Sequence, residues 1–122
     1  MILADTSVWI DHLRHGDPDL RHLLNSRQIA IHPFVIAELA LGTLRDRTKT
    51  LALLELLPQL LVAQTGEVRA MIENRRLYGL GLGLIDVHLI ASALLNPPTL
   101  LWTRDKALRK IALALRIHAN LL

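Results

Sequence analysis

Near its start the chain carries three apolar residues, Ile2 to Ala4, that run straight into Asp5, Thr6 and Ser7. An apolar run this short, stopped by a polar turn, reads as a buried strand. Inside a parallel sheet that strand would put Asp5 at its carboxyl end, the edge where open α/β sheets place their ligands. The same residues have a simpler use, because Asp5 or Thr6 can cap the helix that follows. What separates the two readings is whether other acids recur in settings that a cap or a solvated surface explains poorly.

Beyond this stretch the pattern alternates. Residues 7–14 have helical spacing and end at His15-Gly16, and a second helix starts at Asp17 with Pro18 in its first turn and Leu20, Leu23 and Leu24 inward. Residues 29–31 are a second candidate strand. Pro33 opens a helix, PFVIAELAL, that stops at Gly42, where a left-handed cap is expected. A polar segment, residues 43–49, then separates it from a leucine-rich helix ending before Pro58. Residues 60–63 fit a third strand or a helix end equally well. Residues 65–77 are amphipathic, with Val68 and Ile72 inward. The following YGLGLGL is a glycine-rich loop without the lysine or the glycine spacing of a phosphate cradle. A helix over IDVHLIASALL, a strand over 99–102, a helix over 106–115 and a short strand near Ile117 complete the series. Strands alternating with helices in 122 residues predict a single α/β domain, residues 1–122, built as a central, mostly parallel sheet flanked by helices.

Composition narrows the chemistry. Apolar residues make up 52% of the chain and charged residues 20%, which excludes a disordered protein. With no cysteine, neither a disulfide nor a thiolate metal site is available. The 14 basic residues against 11 acids permit a polyanionic partner without identifying one. Trp9, Phe34, Tyr78 and Trp102 are too few for a base-stacking platform. Neither a leader-like segment nor an apolar run of membrane-spanning length is present, so a cytoplasmic location is expected.

Three later acids stand where surface charge is a poor explanation. Glu38 has Phe34 and Val35 one turn before it and Leu41 and Gly42 one turn after, so its helical face is otherwise apolar. Asp86 repeats this with Leu82, Gly83, Leu89 and Ile90. Each could meet an arginine in a structural ion pair. Asp105 follows the apolar run LLW and precedes a helix, repeating the geometry of Asp5, and a capping role is again available to it or to Thr103. If the two strands are neighbours in one parallel sheet, Asp5 and Asp105 share an edge, which Glu38 and Asp86 can reach from the N-terminal halves of their helices. Four carboxylates at one edge repel one another unless hard divalent cations lie among them. Oxygen-only ligation suits Mg2+ or Mn2+, and the associated chemistry is phosphodiester hydrolysis by a metal-activated water. The six histidines show no zinc-ligand spacing.

Four segments, ADTSVWIDHL, VIAELALGTLRDR, GLGLIDVHLIASAL and LLWTRDKAL, in this order and spacing, closely resemble the PIN-domain ribonucleases, and among them the VapC-type toxins of prokaryotic toxin–antitoxin pairs. The resemblance spans nearly the whole chain. It implies a PIN-like three-layer sandwich, Mg2+- or Mn2+-dependent cleavage of RNA, a homodimer, and a VapB-like antitoxin whose tail blocks the site. It also implies that Asp5, Asp86 and Asp105 hold metal, that Glu38 holds metal or orients the water, and that Thr6 or Ser7, and Thr103, support the acids by hydrogen bonds. Many relatives carry a further acid where this chain has Ala107, which favours one firmly bound ion, with another arriving with RNA. Arg45, Arg47, Lys49, Arg104, Lys106 and Arg109 are the candidate phosphate contacts. Two other readings compete: a catalytically silent PIN-like module that binds RNA or a partner protein, and a phosphoacceptor site at Asp5, which DTSVW and LLWTRD fit poorly.

Overall fold

The computed structural model describes residues 1–122. Its sheet has three strands, β1 (Ile2–Ala4), β2 (Ile29–Ala30) and β3 (Leu100–Trp102), in the order β2-β1-β3 and all parallel. Leu3 pairs with Ala30 on one side and with Leu101 on the other, so the N-terminal strand is the central one. Both Leu3 and Ala4 are fully buried, as are Leu101 and Trp102. Successive strand residues point to opposite faces, so both faces of the sheet are covered and the fold is a three-layer α/β sandwich.

Seven helices complete it: α1 (Thr6–His15), α2 (Pro18–Asn25), α3 (Pro33–Leu41), α4 (Arg47–Glu55), α5 (Thr65–Asn74), α6 (Leu84–Leu95) and α7 (Lys106–Ala114). Local chemistry sets most of their ends. Asp17 caps α2 by accepting from the Leu20 amide at 3.0 Å, and Pro18 takes the first helical position, where no amide donor is needed. His32 does the same for α3 with an imidazole, its Nδ1 accepting from the Phe34 amide at 3.0 Å. Helix α6 is buried nearly all round, from Val87 to Ala93, and its apolar composition follows from that position.

Several expectations need correction. Residues 60–63 form no strand: only Gln59 bridges to Ile31, and the Leu60 amide bonds the Ile31 carbonyl at 3.0 Å before the chain turns away. Near Ile117 a single bridge joins Leu101 to His118, too short to make a fourth strand. Gly42 ends α3 in an extended conformation, φ −91°, and not in the left-handed region. The polar segment 43–49 is partly helical, because Asp46, at φ 48°, turns the chain into α4 at Arg47. Glu38 lies in the second half of α3, whereas Asp86 is the third residue of α6.

Candidate active site at the carboxyl edge of the sheet

Parallel pairing of β1 with β3 brings Asp5 and Thr103 to the same edge, where the Asp5 amide donates to the Trp102 carbonyl at 2.9 Å. Asp5 is 5% exposed and takes donors on both carboxylate oxygens. Oδ1 accepts from the Ser7 hydroxyl and the Val8 amide, and Oδ2 accepts from the Thr103 hydroxyl. The Val8 bond makes Asp5 the N-cap of α1, so the capping role and the site role coincide in one side chain. Burial pushes the Asp5 carboxyl above the usual range despite those donors.

Thr103 links the two strand ends. Its oxygen accepts from the Asp105 amide at 3.0 Å while its proton goes to Asp5. Asp105 in turn caps α7, accepting from the Leu108 amide at 2.9 Å. Asp86 accepts from the Gly83 amide at 2.9 Å at the start of α6. Three acids therefore sit at three helix N-termini, where amide donors and the helix dipole favour negative charge. Burial nonetheless raises the Asp86 carboxyl above the usual range, the Gly83 amide opposes that rise, and the charges of Asp105 and Glu38 add to it. Glu38 reaches this group because α3 packs on α1, and its Oε1 accepts from the Thr6 hydroxyl at 2.6 Å. Thus Ser7 and Thr103 support Asp5, while Thr6 supports Glu38.

No basic side chain balances these acids. The ion pairs in the chain are both made by Arg104, to Asp11 at 2.7 Å and to Asp17. Its Nε also donates to the Leu122 carbonyl at 2.8 Å, and its guanidinium lies 5.4 Å from the centre of the Trp102 ring. Arg104, expected to contact phosphate, has its charge matched by two carboxylates of its own chain. Arg47 is also engaged, donating to the carbonyls of Ala40 and Gly42 at the end of α3. Neither engagement had a sequence signal, since both depend on partners brought close by folding. Arg14, which no sequence pattern singled out, lies in the last turn of α1 and lines a cavity that also contains Glu38 and Arg45. Lys49 lies on α4, and Lys106 and Arg109 lie on α7, without an ion-pair partner.

The PIN domain family model matches residues 2–114, a span that includes every strand, every helix and all four acids. The chain belongs to the PIN-domain family. A protein called Ribonuclease VapC32, from Mycobacterium tuberculosis strain CDC 1551 / Oshkosh, is 48% identical to this PIN domain over 109 residues, 89% of this chain and 88% of its own length. The protein of that name from strain ATCC 25618 / H37Rv gives the same figures. Within the PIN domain the four acids provide oxygen ligands alone and lack cationic partners, which is the donor chemistry a hard divalent cation needs. No three carboxylates or histidines close around a single point.

Proposed function

We propose that this PIN domain is a Mg2+- or Mn2+-dependent endoribonuclease and the toxin of a type II toxin–antitoxin pair. The observation that carries the reading is that Thr103 links Asp5 to Asp105, while Asp105 and Glu38 lie near enough to raise the Asp86 carboxyl, with no arginine or lysine paired to any of the four. The likeness to Ribonuclease VapC32 supports RNA as substrate and a VapB-like antitoxin as partner, and the reading adds a second copy of the chain as a further partner.

Asp5, Asp86 and Asp105 would hold the cation, with Glu38 either holding it or orienting the attacking water. A bound ion supplies acidity to water and offsets charge on the phosphate oxygens. The chain's own residues do the rest. Ser7 and Thr103 hold the Asp5 carboxylate in one orientation, and Thr6 holds Glu38. Glu38, with one oxygen occupied by Thr6, keeps the other available to accept a proton from water aligned with the scissile phosphorus.

Cleavage of a mixed RNA pool tests this, with Mg2+, Mn2+ or chelator, and with the Asp5→Asn and Asp86→Asn variants. Metal-dependent cutting lost in both folded variants is the expected result. The absence of a closed three-carboxylate cage favours one second reading, a PIN module that binds RNA without cutting it. Equal and negligible cutting by the folded wild type and its variants would select that reading.

A further inference from the structure

Between α1 and α3 lies a cavity of about 120 Å³, with Ile10, Leu13 and Leu44 in its apolar wall and Arg14, Arg45 and Glu38 in its polar one. It is small beside the clefts of roughly 300–1,000 Å³ that enclose whole ligands, so it has room for one group of a larger molecule. Glu38 belongs also to the acidic site and is tied there by Thr6, so the cavity opens next to the carboxylates. Arg14 and Arg45 are exposed and make no side-chain hydrogen bond or ion pair within the chain. Two arginines with no partner of their own, lining the same cavity as Glu38, leave positive charge unmatched on one side of the acidic site.

We propose that this cavity is the subsite for a nucleotide neighbouring the scissile bond of single-stranded RNA, with Arg14 and Arg45 on its phosphate and the apolar wall against its base or ribose. The inference rests on the RNA-cleaving reading above and extends it. A strand whose scissile phosphate lies among four carboxylates meets repulsion there, and a neighbouring phosphate held by arginines offsets it. Arginine suits this role, because its planar fork matches phosphate oxygens bidentately. Arg104, paired to Asp11 and Asp17, lies outside this subsite, and the assignment moves the phosphate-binding role to Arg14.

The test measures binding of a labelled, mixed-sequence single-stranded RNA to the full chain carrying Asp86→Asn, alone and with Arg14→Gln, Arg45→Gln or both. Arg75→Gln, just past the end of α5 and away from this cavity, is the control. The double variant should bind about tenfold more weakly. Its logarithmic salt slope should fall by about 0.7 for each phosphate no longer neutralised. In the cleaving background the same substitutions should raise KM and leave kcat nearly unchanged. If wild type cuts RNA and both arginine variants match it in binding, salt slope and KM, the subsite is wrong while the nuclease reading stands, and the cavity is left to an acidic segment of a partner protein. If the chain binds RNA through Arg14 and Arg45 but never cuts it, the subsite holds and the nuclease reading fails. If wild type neither binds nor cuts RNA, both are overturned.

Discussion

The hydroxyl of Thr103 donates to Oδ2 of Asp5, 98 positions away in sequence, and its oxygen accepts from the Asp105 amide. One small side chain therefore ties together the ends of β1 and β3 and two of the four acids. Its position is fully buried, so neither bond is replaceable by bulk water.

Thr103→Val should leave the Asp105 amide and one Asp5 oxygen without a partner, at a cost of about 1–3 kcal/mol. Urea unfolding reads that loss. RNA cleavage should fall by more than the population unfolded explains, and Thr103→Ser, which keeps the hydroxyl, should restore most of it. Equal activity of the valine and serine variants would remove Thr103 from the positioning role.

The four acids should trade stability for function. Glu38→Gln keeps an acceptor for Thr6 but removes one of the charges that raise the Asp86 carboxyl. Without metal this variant should be more stable than wild type by about 0.5–1 kcal/mol. Added Mg2+ or Mn2+ should raise its Tm less than it raises the wild-type Tm, because binding to the folded state alone stabilises by mass action. Chelator should abolish both shifts. A wild-type Tm indifferent to either cation would contradict the metal site.

Arg104 is expected to act on stability and not on RNA. Arg104→Lys keeps the charge but loses the fork that joins Asp11, Asp17 and the Leu122 carbonyl, and should cost about 1–2 kcal/mol. Its RNA-binding salt slope should match wild type, since Arg104 neutralises no phosphate. A reduced slope would return Arg104 to the residues that touch the RNA backbone.

Acid should weaken the fold through His32. Burial, reinforced by the neighbouring His88, pushes its imidazole down to about 4, below the ordinary value of 6.5. A histidine kept neutral in the folded state takes up its proton on unfolding. Its contribution is therefore fully present above about pH 6.5 and is lost as pH falls toward 4, in total on the order of 3 kcal/mol. His32→Asn keeps a cap for α3 and removes the titration. Urea unfolding at pH 7.5 and 5 should show a smaller pH difference for the variant than for wild type.

Much of the site was legible from the chain because its acids serve two purposes at once. Asp5 and Asp105 end apolar runs and begin helices, so the strand, the acid and the cap lie within a few residues of one another. The placement of Glu38 was less legible: the sequence pointed to an acid on an apolar helical face but put it in the N-terminal half of α3. It lies later in the helix because it reaches the site sideways, through the packing of α3 on α1 and the Thr6 hydroxyl. Residues 60–63, left open between a strand and a helix end, are neither, because an apolar run does not reveal whether an edge strand has room to pair beyond one bridge.

The sequence by itself determined the α/β order of the elements, most helix starts and the identity of the acids, since periodicity and capping act over one or two turns of chain. Only the tertiary structure decided that β1 lies between β2 and β3, that Thr103 holds Asp5, that Arg104 turns inward to Asp11 and Asp17, and that Arg14 shares a cavity with Glu38. Each of those relationships joins residues whose partners no local pattern specifies. Which charges end up paired, and which remain free for a ligand, is settled when packing brings distant elements into contact.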